Sequence, residues 1–112
     1  MRRDQFSAQW QQVQSRFVDQ PVSAVLEAYQ LVRQVMAERG YPTEDFESQS
    51  DAISVDHPEV VENYREAVRR TRASQTAQAT TEELREAMVS YRALFGRLLE
   101  VNGEQVHLDR PA

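Results

Sequence analysis

Carboxylates crowd the sequence around His57, one of two histidines in the chain. Asp51 and Asp56 precede it, and Glu59 and Glu62 follow. An imidazole among carboxylates can hold a divalent cation or move a proton. On spacing, the candidate metal ligands are His57, Asp51 and Glu59. A structural reading competes and is preferred. In it Asp56 caps a helix, Glu59 takes the third helical position and His57 fills the first turn. The paired Glu-x-x-His motifs of di-iron bundles do not occur. No metal or cofactor is therefore expected.

A second cluster is basic. Arg65, Arg69 and Arg72 fall at i, i+4 and i+7, one helical face, with Arg70 beside them. Such a stripe could grip a phosphate or an acidic partner. Glu62 and Glu66 stand three and four residues from these arginines, so a solvated face of local ion pairs is expected first.

Other chemistries lack their residues. There is no cysteine, which removes disulfides, reactive thiolates and thiolate metal sites. Three glycines, widely separated, make no phosphate loop. No Ser-His-Asp order stands out. The chain is expected not to be an enzyme. Its net charge of −5 argues against nucleic acid and against an anionic membrane surface. All basic side chains are arginine, which reads first as the codon bias of a GC-rich genome. Selection for forked guanidinium contacts is the functional alternative. The start, Met1-Arg2-Arg3-Asp4-Gln5-Phe6, has no apolar core after its basic residues and is not read as a signal peptide. The expected location is the cytoplasm.

The elements that must position these residues are helices. In a chain of 112 residues, one domain is expected over 1–103 with a flexible tail over 104–112. The spacing predicts a first helix from about Asp4 to Val18, with Phe6, Trp10, Val13 and Phe17 on one face. A second runs from about Pro21 to Arg39, through Val25, Ala28, Leu31, Val32, Val35 and Met36. Gly40 is its left-handed stop, and Pro42 follows. Residues 43–56 carry five acids and no base. A short helix with Phe46 and Ile53 is expected there, capped by Thr43.

The next long helix is expected from Asp56 or His57 to about Ser74, with Asp56 as cap and Val55 and Val60 as hydrophobic staple. Val18-Asp19-Gln20-Pro21 echoes Val55-Asp56-His57-Pro58, so Asp19 is expected to cap as Asp56 does. The last helix opens on the capping box of Thr80 and Glu83. It runs to about Glu100 and stops at Asn102-Gly103. Leu84, Met88, Tyr91, Leu94, Phe95, Leu98 and Leu99 give it the strongest apolar stripe. Fold class is therefore all-α: an antiparallel four-helix bundle with a short extra helix in the second loop.

Several stretches together resemble a group of small bacterial all-helical proteins to which no activity is assigned. The matching residues include Phe17-Val18-Asp19-Gln20-Pro21, Arg39-Gly40-Tyr41-Pro42 and Ser54-Val55-Asp56-His57-Pro58. They continue with Val61-Glu62-Asn63-Tyr64-Arg65 and Tyr91-Arg92-Ala93-Leu94-Phe95, and the likeness covers about residues 8–99. Members of the group tend to carry an acid where this chain has Gln20 and another where it has Tyr29. The resemblance implies a stand-alone cytoplasmic domain.

The expected function is a helical interaction or regulatory module that acts by protein–protein contact. Its partner is an unidentified protein or a second copy in a homodimer, because the last stripe looks wider than one partner helix needs. The alternative is a small-molecule or metal-binding domain centred on residues 44–62 and His57.

Overall fold

The computed structural model describes residues 2–99. Helical spacing of apolar residues gives five helices: α1 (Arg2–Arg16), α2 (Pro21–Glu38), α3 (Phe46–Asp56), α4 (Pro58–Ser74) and α5 (Thr81–Leu98). Among the described residues there is no strand, and the protein is all-α. No described helix is long and apolar enough to cross a membrane. The expected stop at Asn102-Gly103, the 104–112 tail and His107 lie outside the described residues.

The apolar stripes all turn inward. Phe6, Trp10 and Val13 of α1 are buried, as are Val25, Ala28, Leu31, Val32, Val35 and Met36 of α2. Every residue of the α5 stripe is buried, Leu94 completely. The reason is position: α5 packs against both α4 and α2. The width that suggested self-association is thus covered within the chain. Helix α2 also touches α4 and α1, and α3 lies on α4.

Helix α1 is seated differently. The backbones of α1 and α5 stay apart, and Trp10 bridges the gap by stacking on Phe95, with centroids 5.2 Å apart. An exposed ion pair from Arg16 to Glu27 ties α1 to α2.

The two V-D-x-P segments do share a structure, but Asp is not the cap. In each, Pro occupies the first helical turn and the residue before it is the N-cap: Gln20 at φ −137°, ψ 72° and His57 at φ −137°, ψ 61°. Proline excludes the residue before it from the helical region, so it fixes the boundary one place later than an Asp cap requires. Neither cap residue makes a side-chain capping bond. Asp19 lies exposed in the preceding turn. Asp56 is the last residue of α3, so its backbone is helical and cannot take the extended cap conformation. Val55 therefore belongs to α3 and is 79% exposed, with no staple to Val60.

Two other starts rest on side-chain caps. The capping box of Thr80 and Glu83 is present on α5. Helix α3 is capped by Asp45 rather than Thr43, its carboxylate accepting from the Ser48 N–H at 2.8 Å.

Two helices end with the same hydrogen bonds. After α2, Gly40 N–H donates to the Ala37 carbonyl and Tyr41 N–H to that of Met36. After α4, Ala77 N–H donates to Ser74 and Gln78 N–H to Ala73. Both are Schellman closures, which need a left-handed residue. Gly40 supplies it at φ +89°, as its place in the sequence predicts, whereas Ala77 holds φ +59° against its own Cβ.

Opposite effects are expected at these two sites. Ala77→Gly relieves the strain and raises stability by about 0.5–1 kcal/mol after the entropy that glycine adds to the unfolded chain. Gly40→Ala lowers it by about 1 kcal/mol. Urea midpoints measure both, and equal shifts of one sign would contradict the assignment.

Candidate functional site

The residues that suggested a metal site go separate ways. Asp51 faces Arg65 at 3.7 Å. Glu59 pairs with Arg97 of α5. Asp56 accepts a hydrogen bond from the Tyr41 hydroxyl at 2.6 Å. His57 forms the one-residue joint between α3 and α4. Its N–H donates to the Ile53 carbonyl, and its imidazole Nδ1 is buried with no hydrogen-bond partner among the described residues. Among the described residues no three His, Asp or Glu side chains gather where a cation could sit.

The arginine stripe is neutralised locally. Arg65 pairs with Glu62 at 2.9 Å as well as facing Asp51. Arg69 pairs with Glu66, and its hydrogen bond holds that carboxyl below the usual range. Arg70 bridges Glu66 and Glu86. Arg72 places its guanidinium 5.2 Å from the centre of the Phe46 ring. Three of the four carry a carboxylate, so the stripe is a poor anion cradle.

A row of rings links four helices beneath this surface. Phe46 of α3 meets Tyr64 of α4, which meets Tyr91 of α5, which meets Tyr29 of α2. The phenols find buried partners. Tyr64 donates to the Gln49 side-chain carbonyl at 2.5 Å. Thr71 donates its only hydroxyl proton to the Ala67 carbonyl, so at the 2.6 Å contact Tyr91 is the donor and Thr71 accepts. Burial pushes the phenols of Tyr64 and Tyr91 well above their ordinary range. Tyr41 is pushed up to about 12, by burial first and then by its bond to Asp56.

Among the described residues a groove of about 340 Å³ lies between α1 and α5 and offers a surface for binding. Trp10, Gln14 and Phe17 form one wall; Arg85, Met88, Val89 and Arg92 form the other. It opens where the two backbones stay apart. Its lining is mostly apolar, and Val89 on its rim is 65% exposed. The Arg85 guanidinium lies 5.8 Å from the Phe17 ring centre and pairs with Glu82 at 2.5 Å. Trp10 is only 3% exposed, and its indole nitrogen is buried with no hydrogen-bond acceptor among the described residues. A second, broader depression of about 390 Å³ is lined by Gln30, Arg33, Gln34, Ala37 and Thr43 and carries no acid or histidine.

Comparison with protein-family models, with curated proteins and with solved structures found no match. The site therefore rests on geometry alone. Sequence reasoning placed Trp10, Phe17 and Met88 on core stripes but missed the groove. A signal was present: Val89 is a large apolar residue between two arginines at i−4 and i+3, on the side of α5 away from its stripe. Gln49 was missed as well, because a glutamine in an acidic stretch gives no sign of being buried.

The tyrosines make stability depend on alkaline pH. A phenol raised on folding contributes stability that is complete below its unfolded value, about pH 10. That contribution is lost as pH climbs toward the folded value. Urea midpoints should hold steady from neutral pH to about 9.5 and then fall, with phenolate absorbance of Tyr64 and Tyr91 appearing only as the chain unfolds. Tyr64→Phe strands the buried Gln49 carbonyl and should cost about 1–3 kcal/mol, against less than about 1 for Tyr41→Phe at its exposed partner. Phenolate absorbance from Tyr64 in the folded protein would contradict the buried network.

Proposed function

We propose that this protein is a non-enzymatic helical module that works by protein–protein contact, and that the groove between α1 and α5 is its contact surface. The observation that carries the reading is the apolar groove rimmed by exposed Val89. A concave, mostly apolar surface with a few polar groups at its edge has the form of a binding site. The dispersal of His57, Asp51 and Glu59 favours contact over a metal-centred role. The local pairing of Arg65 and Arg69 favours it over binding a free anion. In this reading the four long helices form the antiparallel bundle, with α3 as the extra helix. Packing of α5 on α2 and α4, and of α1 on α2, supports that arrangement.

A photo-cross-linker at position 89 tests the surface, with one at position 55 as control. Both replace an exposed valine, so stability should change by no more than about 0.5 kcal/mol. In lysate of the source organism, a discrete adduct is expected from position 89 and not from 55. An adduct of one further chain of the same mass would make the partner a second copy. No adduct at 89, or the same adducts from both positions, would remove the groove as the contact surface.

A further inference from the structure

The groove has a charge opposite to that of its protein. The chain carries −5 overall, yet among the described residues the lining of the groove includes Arg85 and Arg92 and no carboxylate. The acids at the start of α5 point to other duties. Glu83 closes the capping box and Glu86 binds Arg70. Glu82 holds Arg85 in an exposed pair like those on α4, worth little in open solvent. Arg85 differs in lining an apolar groove, where an occupant that displaces water strengthens a competing carboxylate. Arg92 has no ion pair among the described residues, unlike Arg16, Arg65, Arg69, Arg70, Arg85 and Arg97. Buried Trp10 adds an indole N–H without an acceptor. An unpaired donor of this kind is costly to leave unmet.

Spacing sets the shape of what would fit. Arg85, Met88, Val89 and Arg92 stand at i, i+3, i+4 and i+7, with the two cations about 10 Å apart along the helix. Trp10 and Gln14 of α1, with Phe17 in the turn just past its end, span the same two turns. The complement is two turns of helix: apolar side chains in the middle and carboxylates at the ends. Given the contact reading above, on which this rests, we infer that the groove receives an amphipathic helical segment of a partner protein, its carboxylates seated on Arg85 and Arg92. A second copy meeting groove to groove would instead bring the four arginines together.

The test uses a blocked helical peptide of about four turns with two Glu seven residues apart and Leu three and four residues after the first. Its control carries Lys in place of both Glu. Trp10 is the only tryptophan, so its emission reports the groove directly. The acidic peptide should shift that emission saturably, and the Lys peptide should not. Arg85→Glu with Arg92→Glu should weaken the acidic peptide about tenfold and gain binding of the Lys peptide. Raised salt should weaken both matched pairs.

Equal binding of the two peptides, abolished by Val89→Asp, would overturn the acidic partner while leaving the contact surface standing. Saturation by laurate but by neither peptide would reassign the groove to a fatty carboxylate. A dimer in sedimentation equilibrium that Val89→Asp dissolves would make a second copy the occupant. No response to either peptide, with no adduct from position 89, would remove both the partner and the surface.

Discussion

Tyrosine hydroxyls buried where α2, α3, α4 and α5 meet constrain the rest of the fold. Apolar burial supplies most of the driving force, but it is not directional and would tolerate several registers. A buried phenol is directional, because it must find a partner or forfeit its hydration. Tyr64 finds Gln49, so α3 must lie on α4 with that glutamine inward. The Gln49 amide in turn donates to the Pro42 carbonyl, at 3.5 Å, and so ties down the connection that follows α2. Tyr91 donates to Thr71, which sets the register of α5 against α4. Guanidinium groups sit over the rings at the two ends of the row, Arg72 on Phe46 and Arg33 on Tyr29.

The legible part of this architecture is the part written in periodicity. A stripe such as Leu84 to Leu99 has no other way to hide from water, and all of its residues are buried. The Thr80–Glu83 box and Gly40 were readable because each solves a local backbone problem with a residue type suited to it. The reading failed at Asp19 and Asp56, where two local rules competed. Asp favours an N-cap, but Pro two places on fixes the cap at the residue between them. Proline's constraint is steric and the capping bond is worth only about 1 kcal/mol, so proline wins. The groove was not legible because it depends on the separation of α1 from α5, which no local pattern encodes. Gln49 is the same case, as only tertiary contact tells a buried amide from an exposed one.

Surface charge is organised by short-range pairing rather than by field. Glu62, Glu66 and Glu82 each sit three residues before an arginine they bind. Each exposed pair contributes little to stability, but those of Glu62 and Glu66 together cancel the basic face that α4 would otherwise present. An Arg stripe in sequence is therefore a weak guide to an anion site unless the acids at helical spacing are read with it.

Helix α1 stands outside the tyrosine network, and that has a thermodynamic consequence. Its seating uses Phe6, Trp10 and Val13 against the core, the Trp10–Phe95 stack and an exposed ion pair. Stacked rings slide at low cost compared with a buried hydrogen bond. The groove lies between this less directional helix and α5, which the Tyr91–Thr71 bond fixes. Any occupant that touches both walls bridges a loosely registered element to a firmly registered one. Binding free energy and the docking of α1 are then linked: whatever fills the groove stabilises α1 in place, and whatever loosens α1 weakens the occupant's hold by the same amount.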